Sequence, residues 1–101
     1  SEFLIGVVYE DVNQNNIQDD NETGIAGVRL FTVTGNQVQT DGNGRFNLPI
    51  DLSRSQRARK LLIKLDTSSL PAGYTVSTEN PLLIHNGFST PVSVNFAIIK
   101  K

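Results

Sequence analysis

A chain of 101 residues with 38% hydrophobic side chains and no cysteine makes one domain around one core, with an expected radius of gyration near ~13 Å and neither disulfides nor thiol chemistry. The formal net charge of -1 gives no case for nucleic acid or an acidic substrate, and no apolar run approaches the ~20 residues that span a bilayer, so neither nucleic-acid binding nor direct membrane insertion is expected. The near balance hides an asymmetry: Glu2, Glu10, Asp11, Asp19, Asp20 and Glu22 all precede the first basic residue, Arg29.

Phe3, Ile5, Val7 and Tyr9 alternate with Leu4, Gly6, Val8 and Glu10, a two-residue period rich in β-branched and aromatic side chains that predicts a strand. In the next twelve residues, Asp11, Asn13, Asn15, Ile17, Asp19 and Glu22 take positions 1, 3, 5, 7, 9 and 12. That spacing matches an EF-hand-type loop, where alternate side chains point inward, the seventh residue offers its carbonyl and the twelfth closes both carboxylate oxygens on one Ca²⁺ ion. Position six, ordinarily glycine, is Asn16, the residue that tolerates the left-handed region best after glycine. Asn, Asp and Gly also crowd together simply to make turns, which would account for much of the composition between Asp11 and Gly24. Against that stands the unneutralised charge of the segment, which a divalent cation would relieve. Neither flank reads as helix, so the loop is expected to connect two strands rather than the two helices of a true EF-hand.

Gly24 and Gly27 bracket a turn, and Val28 to Val33 lacks helical periodicity. Gln37 to Thr40 and Arg45 to Leu48 flank Asp41-Gly42-Asn43-Gly44, whose glycines and asparagine would supply the positive φ of a tight hairpin. Asp41 is expected to form the turn rather than approach a metal. Ser53 to Arg59 could form a brief helical turn. Arg54, Arg57, Arg59 and Lys60 read as a solvated loop or strand entry, since no aromatics interleave them. Leu61, Ile63 and Leu65 alternate with Leu62, Lys64 and Asp66 as another strand. Pro71-Ala72-Gly73 turns the chain into Tyr74 to Thr78, and Pro81 limits the segment after it to an edge or loop. Val92, Val94, Phe96 and Ile98 form the inward face of the last strand, with Ser93 and Asn95 outward. Phe3, Phe31, Phe46 and Phe96 all fall on strands where a core would use them. About seven short strands without a convincing helix predict an all-β sandwich.

Three blocks carry a resemblance. Gly6 to Asp19, then Glu22-Thr23-Gly24-Ile25-Ala26-Gly27-Val28, then Thr40-Asp41-Gly42-Asn43-Gly44-Arg45-Phe46 resemble, in order and spacing, the SdrD B-like (SD-repeat B) domain of bacterial cell-surface proteins. Leu62 to Tyr74 and Thr78-Glu79-Asn80-Pro81 are similar to versions of that domain in large Gram-negative surface proteins, although Leu82 to Gly87 departs from their basic, β-branched continuation. The resemblance implies that residues 1–101 form a single seven-stranded immunoglobulin-like or prealbumin-like sandwich. It also implies an extracellular stalk module that binds calcium through Asp11, Asn13, Asn15, the Ile17 carbonyl, Asp19 and Glu22, with Asp20 able to replace Asp19. Its partners would be adjacent domains of a multidomain surface protein. The neighbouring collagen-adhesin B-type family cross-links its first and last strands from lysine to asparagine; Asn95 is suitably placed, but the first lysine here is Lys60, so no cross-link is expected.

Hydrolytic triads need a His or Cys beside a nucleophile, and this chain has one His, next to the expected turn at Asn86-Gly87, and no Cys. No enzymatic activity is expected. Two function classes remain: a calcium-stabilised structural spacer, and an adhesive module that binds a host or neighbouring-cell protein or glycan through Tyr74, Phe88 or the Arg54 to Lys60 run. A contiguous exposed aromatic patch would favour the second.

Overall fold

The computed structural model describes residues 2–32, 35–50, 60–85 and 92–101. Its first strand, β1 (Glu2–Glu10), obeys the two-residue period: Leu4 and Val8 are fully buried, while Ile5 and Val7 on the opposite face remain half-buried. Seven further strands complete the described residues: β2 (Arg29–Thr32), β3 (Gln37–Gln39), β4 (Arg45–Ile50), β5 (Lys60–Leu65), β6 (Tyr74–Val76), β7 (Leu82–His85) and β8 (Val92–Lys100). The one helical element described is a 3₁₀ turn, Thr67–Ser69, capped by the Asp66 carboxylate.

The strands form two four-stranded sheets, in the orders β4-β1-β8-β6 and β3-β2-β5-β7. Leu4, Val8, Leu48, Phe46, Phe96 and Ile98 of the first sheet meet Leu30, Ile63 and Leu65 of the second, and Val28 joins them from the turn before β2. This is a β-sandwich. Each sheet buries one face against the other, and alternation along each strand supplies that face. The radius of gyration is 13.3 Å. No helix among the described residues is long and apolar enough to cross a membrane.

Three expectations change. Among the described residues there are eight strands where about seven were expected, because Leu82-Leu83-Ile84-His85 pairs antiparallel with β5. Pro81 sits just outside that strand, which is an edge of its sheet, where a missing N–H costs no ladder bond. The Asn80 side chain prepares the edge: its amide accepts from the Leu65 N–H at 2.9 Å and donates to the Leu65 carbonyl at 3.0 Å, so it pairs with β5 as a strand residue would.

The second change concerns the Asp41–Gly44 turn. It carries the chain from β3 in one sheet to β4 in the other, so it is a corner between layers and not a hairpin within one sheet. Within the turn, Gly44 alone has positive φ, at 77°. Asp41 is the turn former it was expected to be, its Oδ1 accepting from the Asn43 and Arg45 N–H groups at 2.9 and 3.0 Å.

The third change is in the core. Phe46 and Phe96 are buried there, but Phe31 is only half-buried and Leu30 takes the inward position on β2. The side chain of Phe3 lies outside the described residues, as do Ser53 to Arg59 and Phe88.

Parallel pairing of β1 with β8, from Leu4↔Val92 to Glu10↔Ile98, brings both strands to the same pole of the molecule. The acidic loop leaves β1 there, beside the end of the last strand.

Candidate metal centre

The loop is pinned at both ends by main-chain bonds. Asp11 N–H donates to the Ile98 carbonyl at 2.9 Å, and Glu10 N–H donates to the Thr23 carbonyl at 2.9 Å. Tyr9 pairs across to Gly24, so residues 11 to 22 must close on themselves within a span that two strands fix.

Closure needs left-handed backbone, and the chain takes it twice, at Gln14 (φ 58°) and Asn16 (φ 63°). Asn16 therefore occupies the conformation expected of position six. Gln14 had no signal in the sequence, since glutamine is not a residue that favours positive φ.

The exit from the loop is held by the two later sequence blocks. A Cβ on Gly24 would collide with the Asn43 carbonyl oxygen, and one on Gly44 would stand 2.5 Å from the Val8 oxygen and the Ile25 nitrogen. The corner and the loop exit thus cross at backbone contact, which glycine alone permits. Thr40, 6% exposed, completes the joint: its hydroxyl accepts from the Val28 N–H at 2.9 Å and donates to the Ile25 carbonyl at 2.6 Å. Sequence reasoning placed Thr40 at a strand end and missed this role, because a buried threonine clasp depends on which segments the fold brings together.

Inside the loop the candidate side chains converge. Asp19 Oδ2 accepts from the Asn13 amide at 2.6 Å and from the Asn15 amide at 3.2 Å. Asp11 accepts from the Asn15 N–H at 3.2 Å and the Asn16 N–H at 2.6 Å. Glu22 reaches back across the loop, Oε2 accepting from the Val12 and Asn13 N–H groups at 2.8 and 3.3 Å and Oε1 from the Asp19 N–H at 3.0 Å. Positions 1, 3, 5, 9 and 12 therefore lie in one hydrogen-bonded network. Ile17 joins it through its N–H, which donates to the Asn15 side-chain oxygen at 3.0 Å. Asp20 is exposed and makes no side-chain hydrogen bond among the described residues, so Asp19 and not Asp20 belongs to the network.

Electrostatics make this network unusual. Asp11 is 1% exposed and Glu22 is 6% exposed, yet their partners are N–H dipoles alone. Among the described residues the ion pair is Arg29 with Asp66 at 2.7 Å, which involves neither Asp11 nor Glu22. N–H dipoles stabilise a buried carboxylate only in part, since they bring no opposite net charge to it. Tyr9 feels that charge: it is 1% exposed, and its phenol is pushed above the ordinary value by burial first and then by the charges of Asp11, Glu22 and Asp19.

The donor set fits a hard cation. It holds carboxylates from Asp11, Asp19 and Glu22, amide oxygens from Asn13 and Asn15 and a main-chain carbonyl at Ile17, with no nitrogen or sulfur ligand. Among the described residues no group of three or more His, Cys, Asp or Glu stands in a metal-holding cluster. Here the Asn13 and Asn15 amides turn nitrogen toward Asp19; each carries an oxygen on the same carbon that an amide rotation brings into its place.

Acid titration offers a first check on the frame around the site. Hydrogen bonds from the Arg45 and Asn43 N–H groups, and then the Arg45 charge, hold the Asp41 carboxyl below its ordinary 3.8, while Ser68 does the same for Asp66, with Arg29 adding to it. A carboxyl lowered in the folded state binds fewer protons there than in the unfolded chain, so its stabilisation is present above about pH 4 and is lost as pH falls through the folded value. Melting temperature in chelator should fall below about pH 4, and Asp41→Asn should flatten part of that fall. A wild-type profile level from about pH 6 to about pH 2.5 would contradict the assignment.

No protein-family model matches the chain. Part of it is similar to Colossin-C of Dictyostelium discoideum, 36% identical over 58 residues, a match covering 52% of this chain and 6% of Colossin-C. The chain thus corresponds to a small fraction of that relative's length.

Proposed function

We propose that this domain is a calcium-binding structural spacer of a multidomain extracellular protein, with Asp11, Asn13, Asn15, the Ile17 carbonyl, Asp19 and Glu22 as the ligands. One observation carries the reading: two almost fully buried carboxylates, Asp11 and Glu22, face N–H groups and no cation among the described residues, within a loop spaced for six oxygen donors. A divalent ion there would supply the opposite net charge that N–H groups alone do not.

The spacer role rests on geometry around the site. The loop ties β1, the end of β8 and the β3–β4 corner together at one pole, so an ion holding the loop closed would stiffen that whole end. The resemblance to SdrD B-like domains supports an immunoglobulin-like or prealbumin-like type, a bacterial surface location and adjacent domains as partners. A match confined to a small part of a far longer relative agrees with a module of a larger protein. Tyr9, Phe46 and Phe96 are buried, which leaves little aromatic surface among the described residues for an adhesive patch.

Titration calorimetry of chelator-treated protein tests the reading. Calcium should bind with a stoichiometry near one and more tightly than magnesium, because Mg²⁺ demands compact octahedral geometry and gives up water reluctantly, whereas a loop with a potential bidentate glutamate suits the larger ion. Equal affinity for the two ions would reduce the loop to an unspecific acidic turn.

A further inference from the structure

A second feature lies beside the acidic loop and makes no use of its carboxylates. The outer face of the β4-β1-β8 sheet forms an open groove of roughly 850 Å³, within the ~300–1,000 Å³ range of small-molecule sites. Two cross-strand rows make its floor. Ile5 lies between Asn47 and Ser93, and Val7 lies between Arg45 and Asn95. Each row has an aliphatic centre and polar flanks. One wall is Gln18 and Thr23 of the loop, and the other is Gln39 and the Asp41–Asn43 corner.

The chemistry of this lining narrows the ligand. Amides and hydroxyls dominate, and each group both donates and accepts hydrogen bonds, which matches a ligand whose own groups do both. Asn47 and Ser93 make no side-chain hydrogen bond among the described residues, whereas Asn95 uses its oxygen to accept from the Val7 N–H at 3.2 Å and keeps its NH₂ group for the groove. The two charges in the lining, Asp41 and Arg45, are opposite and close enough that Arg45 lowers the Asp41 pKa, so the groove selects neither polyanions nor polycations. At the centre of the floor β1 is already paired on both sides, by β4 and by β8, so it offers side chains and no free main-chain ladder, whereas β4 and β3 at the rim are sheet edges. An added peptide strand would have to pair along those edges rather than lie on the floor.

We propose that this groove binds a neutral saccharide, whose hydroxyls pair with Asn47, Ser93 and the Asn95 amide while a C–H face of the sugar ring lies on Ile5 and Val7. Phe46 borders the groove but is only 5% exposed, so no aromatic ring among the described residues stands open on the floor, and the expected affinity is millimolar. The site is independent of the calcium reading, although Gln18 and Thr23 make the loop one of its walls.

The test is a ¹H–¹⁵N titration of the intact domain with lactose, N,N′-diacetylchitobiose and maltotriose, each to about 50 mM, well above a millimolar Kd. At least one should shift the amides of residues 5–7, 45–47 and 93–95 saturably. The exposed-site double variant Asn47→Ala/Ser93→Ala should weaken that saccharide about five- to tenfold, the size of one lost hydrogen bond, with its melting temperature unchanged. A neutral extended hexapeptide should leave the same amides unmoved. Silence from all three sugars, shifts confined to other residues, undiminished affinity in the double variant, or saturable peptide binding in the groove would each overturn the proposal.

Discussion

Melting in millimolar calcium is expected to exceed melting in excess EDTA by about ten degrees or more. A ligand that binds only the folded state at a hundred times its dissociation constant adds about 2.7 kcal/mol, and in a domain of this size each kcal/mol moves the midpoint by roughly 4 to 8 °C. Linkage of this kind requires that the unfolded chain lack the site. The folded structure favours that condition, because the loop start is held on the last strand, Asp11 N–H on the Ile98 carbonyl, and its exit on β1, at Glu10 and Val8. Superimposable melts in calcium and in EDTA would sink the calcium reading.

The largest mutational effect on that increment should come from Glu22→Gln. Glu22 is 6% exposed, and its two carboxylate oxygens accept three N–H groups from Val12, Asn13 and Asp19. An amide has one oxygen, so at least one of those N–H groups loses its acceptor, at about 1 kcal/mol in the chelated protein. The variant also lacks the charge and the second oxygen of a bidentate clamp, which should remove most of the calcium-dependent rise in melting temperature. Asp20→Asn, on an exposed residue outside the network, should retain that rise. Asn16→Gly should keep it or enlarge it, since φ 63° at that position costs glycine nothing. Retention of the full rise by Glu22→Gln, with its loss in Asp20→Asn, would show the ligand register to be wrong.

Legibility in the sequence depends on whether a signal is local. The two-residue period marked β1, β5 and β8, and it placed the inward face of β8 correctly at Phe96 and Ile98. Asn16 announced its left-handed backbone because position six of a twelve-residue loop demands it. Asp41 announced its turn for a similar reason. Non-local features were hidden. Nothing local says whether a turn joins neighbours in one sheet or crosses between layers, so the Asp41–Gly44 corner read as a hairpin. Likewise Leu30 and Phe31 are both apolar, and only the register of β2 with β5 decides which faces the core. The edge strand β7 was masked by Pro81, which permits an edge but does not require one. Within the candidate site, spacing singled out the carboxylates and amides, whereas their hydrogen bonds to backbone, the Thr40 clasp and the crossing of Gly24 and Gly44 depend on segments meeting in space.

The central claim is that the Asp11–Glu22 network is a calcium site, and the most direct measurement is a crystal structure grown from millimolar calcium. One ion is expected in the loop, at about 2.3–2.6 Å from oxygens of Asp11, Asn13, Asn15, Asp19 and Glu22 and the Ile17 carbonyl, with the Asn13 and Asn15 amides turned to present oxygen. A loop that kept Asp19 hydrogen-bonded to both amide nitrogens with no ion between them, or an ion bound by other residues, would contradict it.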